Sequence, residues 1–462
     1  MEQFRLVDRR ALFSVGWNRW AALLSVMALS TPACTPDETK EVVNTLPEWT
    51  NPPAGQLTLG EGQSLQIPFT VEDADGDSVT TELTVPMGLE VEKDEAAGQL
   101  FFHAAYGTPG VVTVEIRVSD GKDPKIYPVD VEVLPLVWLG RTTWMDAEAP
   151  EAREHGALAL DEPGRLVLFG GSGYTPYGEV FNDGWAFDTT SHAWTGLTAE
   201  GQVPEGAGSR RIAHVAQTKE AYLFGGYSET GGTNKELYRM TVGEGSLQFQ
   251  EVTQTNAPPS RALHALVYDA VAKRLVVFGG FGFKPLNDTW VGTVEGDSVV
   301  WTKLVTDVAP SPRYGFFYGL DEERRRLIVW SGAQDTNPIN PAQDVWALDL
   351  NVEPPVWKLL LDGTAAGTPP GRRNGVGIFD PTGPRLAVFG GTADGATSEP
   401  GLWMFDARPG HEHWDQVARE DEPPIRSSAF GVTDGTGKMW MGFGNTAQAA
   451  YSDIVELGYS KE

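Results

Sequence analysis

The chain has 462 residues, 41% of them hydrophobic, with 53 glycines, 32 prolines and a formal charge of -28. That length exceeds one ordinary core, and so much Gly and Pro calls for turns rather than long helices. The acidic balance argues against nucleic acid and against electrostatic docking on anionic lipid, and a single cysteine, Cys34, rules out an intrachain disulfide or a thiolate metal cluster.

Arg5, Arg9, Arg10 and Arg19 precede the apolar run Trp20 to Leu29, which is short for a bilayer span and suits a signal peptide over residues 1–33. The run ends in Ser30-Thr31-Pro32-Ala33-Cys34, which resembles a bacterial lipoprotein lipobox with Thr31 in place of the usual Leu. That resemblance implies a lipid on Cys34, a charge near -30 for the mature chain, and sorting to the outer membrane because Thr35 rather than Asp follows. Arg9-Arg10 also resembles a twin-arginine export signal. Simple secretion or a periplasmic location is the alternative. Residues 34–45 read as a polar tether.

From 46 to 136 short alternating segments follow one another: Leu57 to Val71, Leu83 to Val91, Gln99 to His103, Val111 to Val118 and Ile126 to Val133. Gly60-Glu61-Gly62, Asp75-Gly76-Asp77, Gly107 to Gly110 and Asp120-Gly121 separate them as turns. Strands at this spacing predict a small β-sandwich. The order VEDADGD, GLEVE, GQLFF and GVVTVEIRVSDG resembles cadherin-like or Ig-like modules of bacterial surface proteins, which implies Ca²⁺ on Asp73, Asp75, Asp77 and Asp120. An Asp-Gly turn serves any hairpin equally well.

From 137 to the end the chain repeats itself. Arg274 to Gly280 reads RLVVFGG, and versions of it stand at 165–171, 221–226, 326–332, 385–391 and, worn, 438–444. The aromatics Phe169, Phe224, Phe278, Trp330 and Phe389 are 55, 54, 52 and 59 residues apart. A period near fifty marks a repeat architecture. In the third unit the segments Ala262 to Asp269, Arg274 to Phe278, the stretch opened by Asn287 to Trp290, and the stretch around Trp301 predict four strands, as in a propeller blade. Trp290 and Trp301, Trp346 and Trp357, and Trp403 and Trp414 are each eleven residues apart, as packing residues between blades. An arginine opens each unit: Arg153, Arg211, Arg261, Arg313, Arg372 and Arg426. The sixth unit ends after its third strand, around Ile454-Val455, and Val137 to Met145, with Trp138 and Trp144, supplies the missing one. That closure removes open edges.

The glycine pair followed by two aromatics resembles the kelch motif. The expected fold is therefore all-β: a six-bladed kelch-type β-propeller, galactose oxidase-like, preceded by a small sandwich. Galactose oxidase chemistry needs a Tyr–Cys cross-link, and this ring has no Cys. No G-x-S-x-G, phosphate loop or H-E-x-x-H occurs. His155, His214 and His264 follow the marker arginine by two or three residues, which places them as metal ligands or as core residues; His411 and His413 invite the same question. In kelch adaptor propellers arginines at equivalent positions line a channel mouth and bind acidic peptide. The resemblance implies the same for Arg153, Arg211, Arg261, Arg313, Arg372 and Arg426, with Arg210 and Arg373 beside them; the competing expectation is bonding to loop carbonyls or an Asp of the same blade. The leading expectation is a non-catalytic, monomeric envelope protein that binds a protein or glycan, without a certain cofactor. The alternative is a sugar-processing enzyme resembling sialic acid epimerase or a hydrolase.

Overall fold

Alternation of apolar and polar residues with Gly or Asp-Gly breaks every five to ten residues leaves the chain only β-hairpins to form, and the computed structural model contains no α-helix among the residues it describes, 43–143, 149–173, 179–216, 218–336, 339–434 and 436–461. The leader, Cys34 and Trp144 lie outside the described residues. Among the described residues no helix is long and apolar enough to cross a membrane.

Two sheets share the core of the N-terminal segment. One runs Leu57–Gly60, Pro124–Leu134, Gly110–Ser119, Thr80–Thr84, with the first pair parallel; the other runs Ser64–Pro68, Gln99–Ala104, Leu89–Asp94. Leu100, Phe102, Val114, Ile116, Val118 and Val131 meet between them and are fully buried. The single segment expected over 83–91 is two strands in different sheets. Pro86 cannot donate to a ladder, and Gly88 turns the chain at φ +93°.

The acidic turn differs from the calcium expectation. Asp73 Oδ1 accepts the amides of Asp75 and Asp77 at 2.9 and 3.1 Å. Lys122 Nζ lies 3.0 Å from Asp77 Oδ2, and Asp120 Oδ1 accepts the Lys122 amide at 2.8 Å. A lysine ammonium thus stands where the ion was expected, and these aspartates act as turn formers. Among the described residues no three His, Cys, Asp or Glu side chains gather as a metal site.

The repeat units are antiparallel four-stranded sheets. In the third, Ala265–Asp269 pairs Arg274–Phe281, which pairs Pro285–Glu295, which pairs Ser298–Lys303. The glycine pair ends the second strand: Gly280, at φ +95°, sits where a Cβ would lie 2.6 Å from His264 Cβ. The fourth and fifth units repeat this order. The first and second are joined into one eight-stranded sheet, because Thr198 to Gly201 runs parallel to Ser246 to Phe249. Buried apolar residues tie each unit to the next. Trp357 joins Phe278 and Phe316 between the third and fourth units, and Trp414 joins Trp330 between the fourth and fifth. Trp440, Phe430 and Ile454 of the last unit share a core with Leu158, Leu166 and Trp194 of the first. Leu136–Thr142 pairs antiparallel with Ile454–Tyr459, in the order 136–142, 454–459, 439–442, 430–433.

The N-terminal segment is bonded to this array through buried polar groups. Glu61 is 1% exposed and accepts the amides of Gly107 and Leu136 at 2.7 and 2.9 Å, together with the Arg419 guanidinium. Arg385 donates to Asp380 at 2.7 Å, to the Glu61 carbonyl at 2.6 Å and to Tyr106 and Tyr459. Gly62 (φ +72°) leaves room for it: a Cβ there would stand 2.0 Å from Arg385 Nη1.

Candidate functional site

Five of the six marker arginines are at most 2% exposed: Arg153, Arg261, Arg313, Arg372 and Arg426. Each Nε donates to the carbonyl two residues earlier, for example Arg261 to Pro259 at 3.0 Å. Each Nη1 reaches the carbonyl that opens the glycine turn: Gly170, Gly279, Ser331, Gly390 or Phe443. In four units an aspartate completes a bidentate pair. Arg261 meets Asp288 at 2.8 and 2.9 Å, and Arg153, Arg313 and Arg426 meet Asp183, Asp344 and Asp453 in the same way. Burial alone would raise the Asp288 carboxyl; the hydrogen bonds and charge of Arg261 outweigh it and hold it below its usual value. In Arg153, Arg261, Arg313 and Arg426 the guanidinium is taken up by an aspartate and loop carbonyls of its own unit, the competing expectation, while Arg372 has carbonyls alone. A backbone turn buried without these guanidinium groups would leave its carbonyls unpaired.

The second unit breaks the register. Counted back from its first strand, the marker position is Ala207, whose neighbour Gly208 pairs with Tyr227 as Ala262 does with Phe281. Arg210, three residues later, reaches back to the same two acceptors, the carbonyls of Gly225 and Glu205, at 3.2 and 3.0 Å. This leaves Arg211 inside the first strand, Arg211–Val215, where it faces the central cavity.

That cavity, about 440 Å³, runs along the first strands of the units. Its wall is mostly apolar, with Leu158, Ile212, Leu266, Tyr318, Ile378 and Val432. Arg211 Nε donates to the His264 carbonyl at 3.0 Å, and its guanidinium lies 5.8 Å from the Tyr318 ring centre. Its Nη groups meet no acceptor among the described residues. Arg373 lies 5.4 Å from the Tyr314 ring and 3.4 Å from the Tyr314 hydroxyl. His155 ties the two together. Burial, then the positive charges of Arg211 and Arg373, push its imidazole down to about 3, so it is neutral between two cations. Tyr227 is pushed up to about 12 by burial, with Tyr314 next to it. Two guanidinium groups stacked on tyrosines beside a neutral imidazole thus gather positive charge in an otherwise acidic molecule.

The histidines do not converge. His155 sits in the marker turn at φ +56°, His264 is fully buried one position later, and His214 lies well into its strand. The register shift of the second unit separates them. His411 Nε2 approaches Glu92 at 3.3 Å, and His413 Nε2 approaches Asp415 at 3.0 Å, so this pair is divided between two carboxylates. Tyr314 and Tyr318 were missed by sequence reasoning. The Arg-Tyr step at 313–314 was the available signal, hidden because Arg313 itself turns inward.

The chain is 26% identical over 279 residues to Adagio-like protein 1 of Oryza sativa subsp. japonica, covering 56% of this chain and 42% of that one. It is 30% identical over 170 residues to Adagio protein 3 of Arabidopsis thaliana, covering 36% and 26%. It therefore spans less than half the length of either. The solved structure of YjhT aligns with a TM-score of 0.45 at 16% identity, over 67% of this chain and 95% of that one. The KLHDC2/KLHL20/DRC7 Kelch-repeats domain matches residues 125–307 and 293–462, and the chain belongs to that kelch-repeat β-propeller family.

Proposed function

We propose that this protein is a non-catalytic interaction scaffold whose channel mouth, at Arg211 and Arg373, takes an acidic segment of a protein partner. The single supporting observation is the freed Arg211, with two Nη groups lacking acceptors and a tyrosine beneath it. Among the described residues Glu322 is the one carboxylate along the cavity wall, and burial alone lowers the His214 imidazole there. That composition favours recognition over general acid–base chemistry, which calls for a second group poised to exchange a proton. A photo-crosslinker at Tyr318 is expected to capture a partner from cells, and Arg211→Glu to abolish that capture. Equal capture by Arg211→Glu, or by a crosslinker on the outer strand at Thr302, sinks the reading.

The propeller is proposed to have six blades, the last completed by Leu136–Thr142, with the N-terminal two-sheet segment as a sandwich docked on it. The shared core of the last and first units supports this closure. Removing residues 137–146 is expected to abolish cooperative unfolding of the whole array; a stable, cooperative product contradicts closure. The chain is further proposed to be exported and held in the envelope by a lipid on Cys34. Palmitate labelling that persists in Cys34→Ala refutes the anchor.

A further inference from the structure

The fifth unit keeps the buried arginine and the tryptophan but lacks the aspartate that joins them elsewhere. In the first, third and fourth units one carboxylate accepts both from the arginine and from the indole two residues on. Asp183 accepts Trp185 Nε1 at 2.6 Å, and Asp288 and Asp344 accept Trp290 and Trp346 at 2.7 Å. The equivalent residue in the fifth unit is Gly401. Arg372, 1% exposed, is left with carbonyl oxygens only. Nε has Pro370 at 3.1 Å, and Nη1 has Gly390, Glu399 and Pro400 at 3.4–3.5 Å. Its Nη2 has no acceptor among the described residues. Trp403 Nε1 is buried and unpartnered.

The two donors Trp403 Nε1 and Gln416 Nε2 stand close against Gly401, whose backbone turns at φ +93°. A Cβ built on Gly401 would lie 3.1 Å from Trp403 Nε1 and 3.2 Å from Gln416 Nε2. Glu422 packs against the amides of Gly401 and Leu402 and makes no ion pair with Arg372. The corresponding aspartates of the first, third and fourth units are 12–38% exposed, whereas Asp453 of the sixth is 1% exposed, so in three of the four sister units this place reaches the rim. A buried guanidinium without a counter-charge is costly, and the two-donor fork that holds a carboxylate in the sister units is retained.

We infer that the Arg372–Trp403 slot binds a carboxylate supplied from outside the chain, in the place of the missing aspartate side chain. It stands apart from the Arg211 mouth and does not depend on that reading. The carboxylate comes either from a small free acid or from an acidic side chain of a partner. Sodium formate and N-acetyl-aspartate N-methylamide are the two probes, titrated into the full chain while its thermal midpoint is followed, with sodium chloride at equal ionic strength as reference. A saturable rise with formate alone assigns the slot to free small acids; a rise with both probes opens it to a partner's side chain. In either case Trp403→Phe is expected to raise the half-saturating concentration at least severalfold while the protein stays folded. No rise beyond chloride, or a rise unchanged in Trp403→Phe, overturns the inference.

Discussion

The second and third units have the same four-stranded order but anchor their turns differently. In the third, Arg261 occupies the marker position and grips the Gly279 carbonyl and Asp288. In the second, Ala207 occupies it and Arg210 reaches the equivalent carbonyls from further along the chain. What the fold requires is a guanidinium on those carbonyls, not an arginine at one sequence position. Once Arg210 meets the requirement, Arg211 is released into the channel, and a structural repeat yields one chemically exposed copy.

The largest effect is expected where the grip is complete. Asp288→Ala leaves Arg261 buried and charged without its partner, and should cost about 3–5 kcal/mol. Arg372→Met removes a buried charge that pairs with no carboxylate among the described residues and whose guanidinium burial, against the charge of Glu399, pushes down to about 10. That change should cost less than about 1 kcal/mol, or stabilise. Urea midpoints at unchanged m-value compare the two. Equal losses would mean that the aspartate contributes nothing and that the carbonyl contacts alone hold the turn.

This contrast also shows what was legible in the sequence. The fifty-residue period, the glycine pairs and the paired tryptophans carried the propeller, because periodic side chains report backbone geometry directly. Arginine periodicity carried the positions of the guanidinium groups but not their direction. A buried arginine needs a carboxylate, and Asp288, Asp344 and Asp453 each stand 27 to 31 residues after their arginine, two before an aromatic or apolar residue. That second periodicity, joined to the first, identifies Arg153, Arg261, Arg313 and Arg426 as structural. Without it Arg211 is indistinguishable from the others, since the adjacent pair Arg210-Arg211 conceals a three-residue slip. The surroundings of the acidic turn were hidden for a related reason: Lys122, distant in sequence from Asp77, arrives beside it only through the pairing of folded strands.

The marker turns also differ in how they respond to acid. His155 in the first unit and Asn374 in the fifth occupy equivalent positions at φ +56° and +58°. Burial, then the charges of Arg211 and Arg373, hold His155 down at about 3, against an unfolded value near 6.5. A depressed folded value gives stability that is present above pH ~6.5 and is lost as pH falls toward about 3, because the unfolded chain takes the proton first. His155→Asn, which carries the fifth unit's residue into the first, should flatten that decline by about 1.4 kcal/mol per pH unit over this window. His264 is lowered by burial and by Arg261 and Arg211, and continues to contribute in the variant. Stability measured from pH 7 to 4 checks this, and parallel curves for variant and parent would show that His155 takes its proton as readily in the folded chain as in the unfolded one.

The smallest stability change belongs to the residue with the largest proposed role. Arg210→Ala uncovers the Gly225 and Glu205 carbonyls in a closed turn and should cost about 1–3 kcal/mol. Arg211→Ala gives up one hydrogen bond, to the His264 carbonyl, and a partly open contact with Tyr318, so a loss below about 1 kcal/mol is expected. If adjacent arginines have divided labour, the two variants separate: the first lowers the urea midpoint and leaves capture at the mouth intact once folded, and the second keeps the midpoint and loses capture. A large stability loss in Arg211→Ala would make it one more structural arginine. The second unit would then differ from the third only in having two such residues where one suffices, and the channel mouth would lose the cation on which its proposed recognition of acidic segments rests.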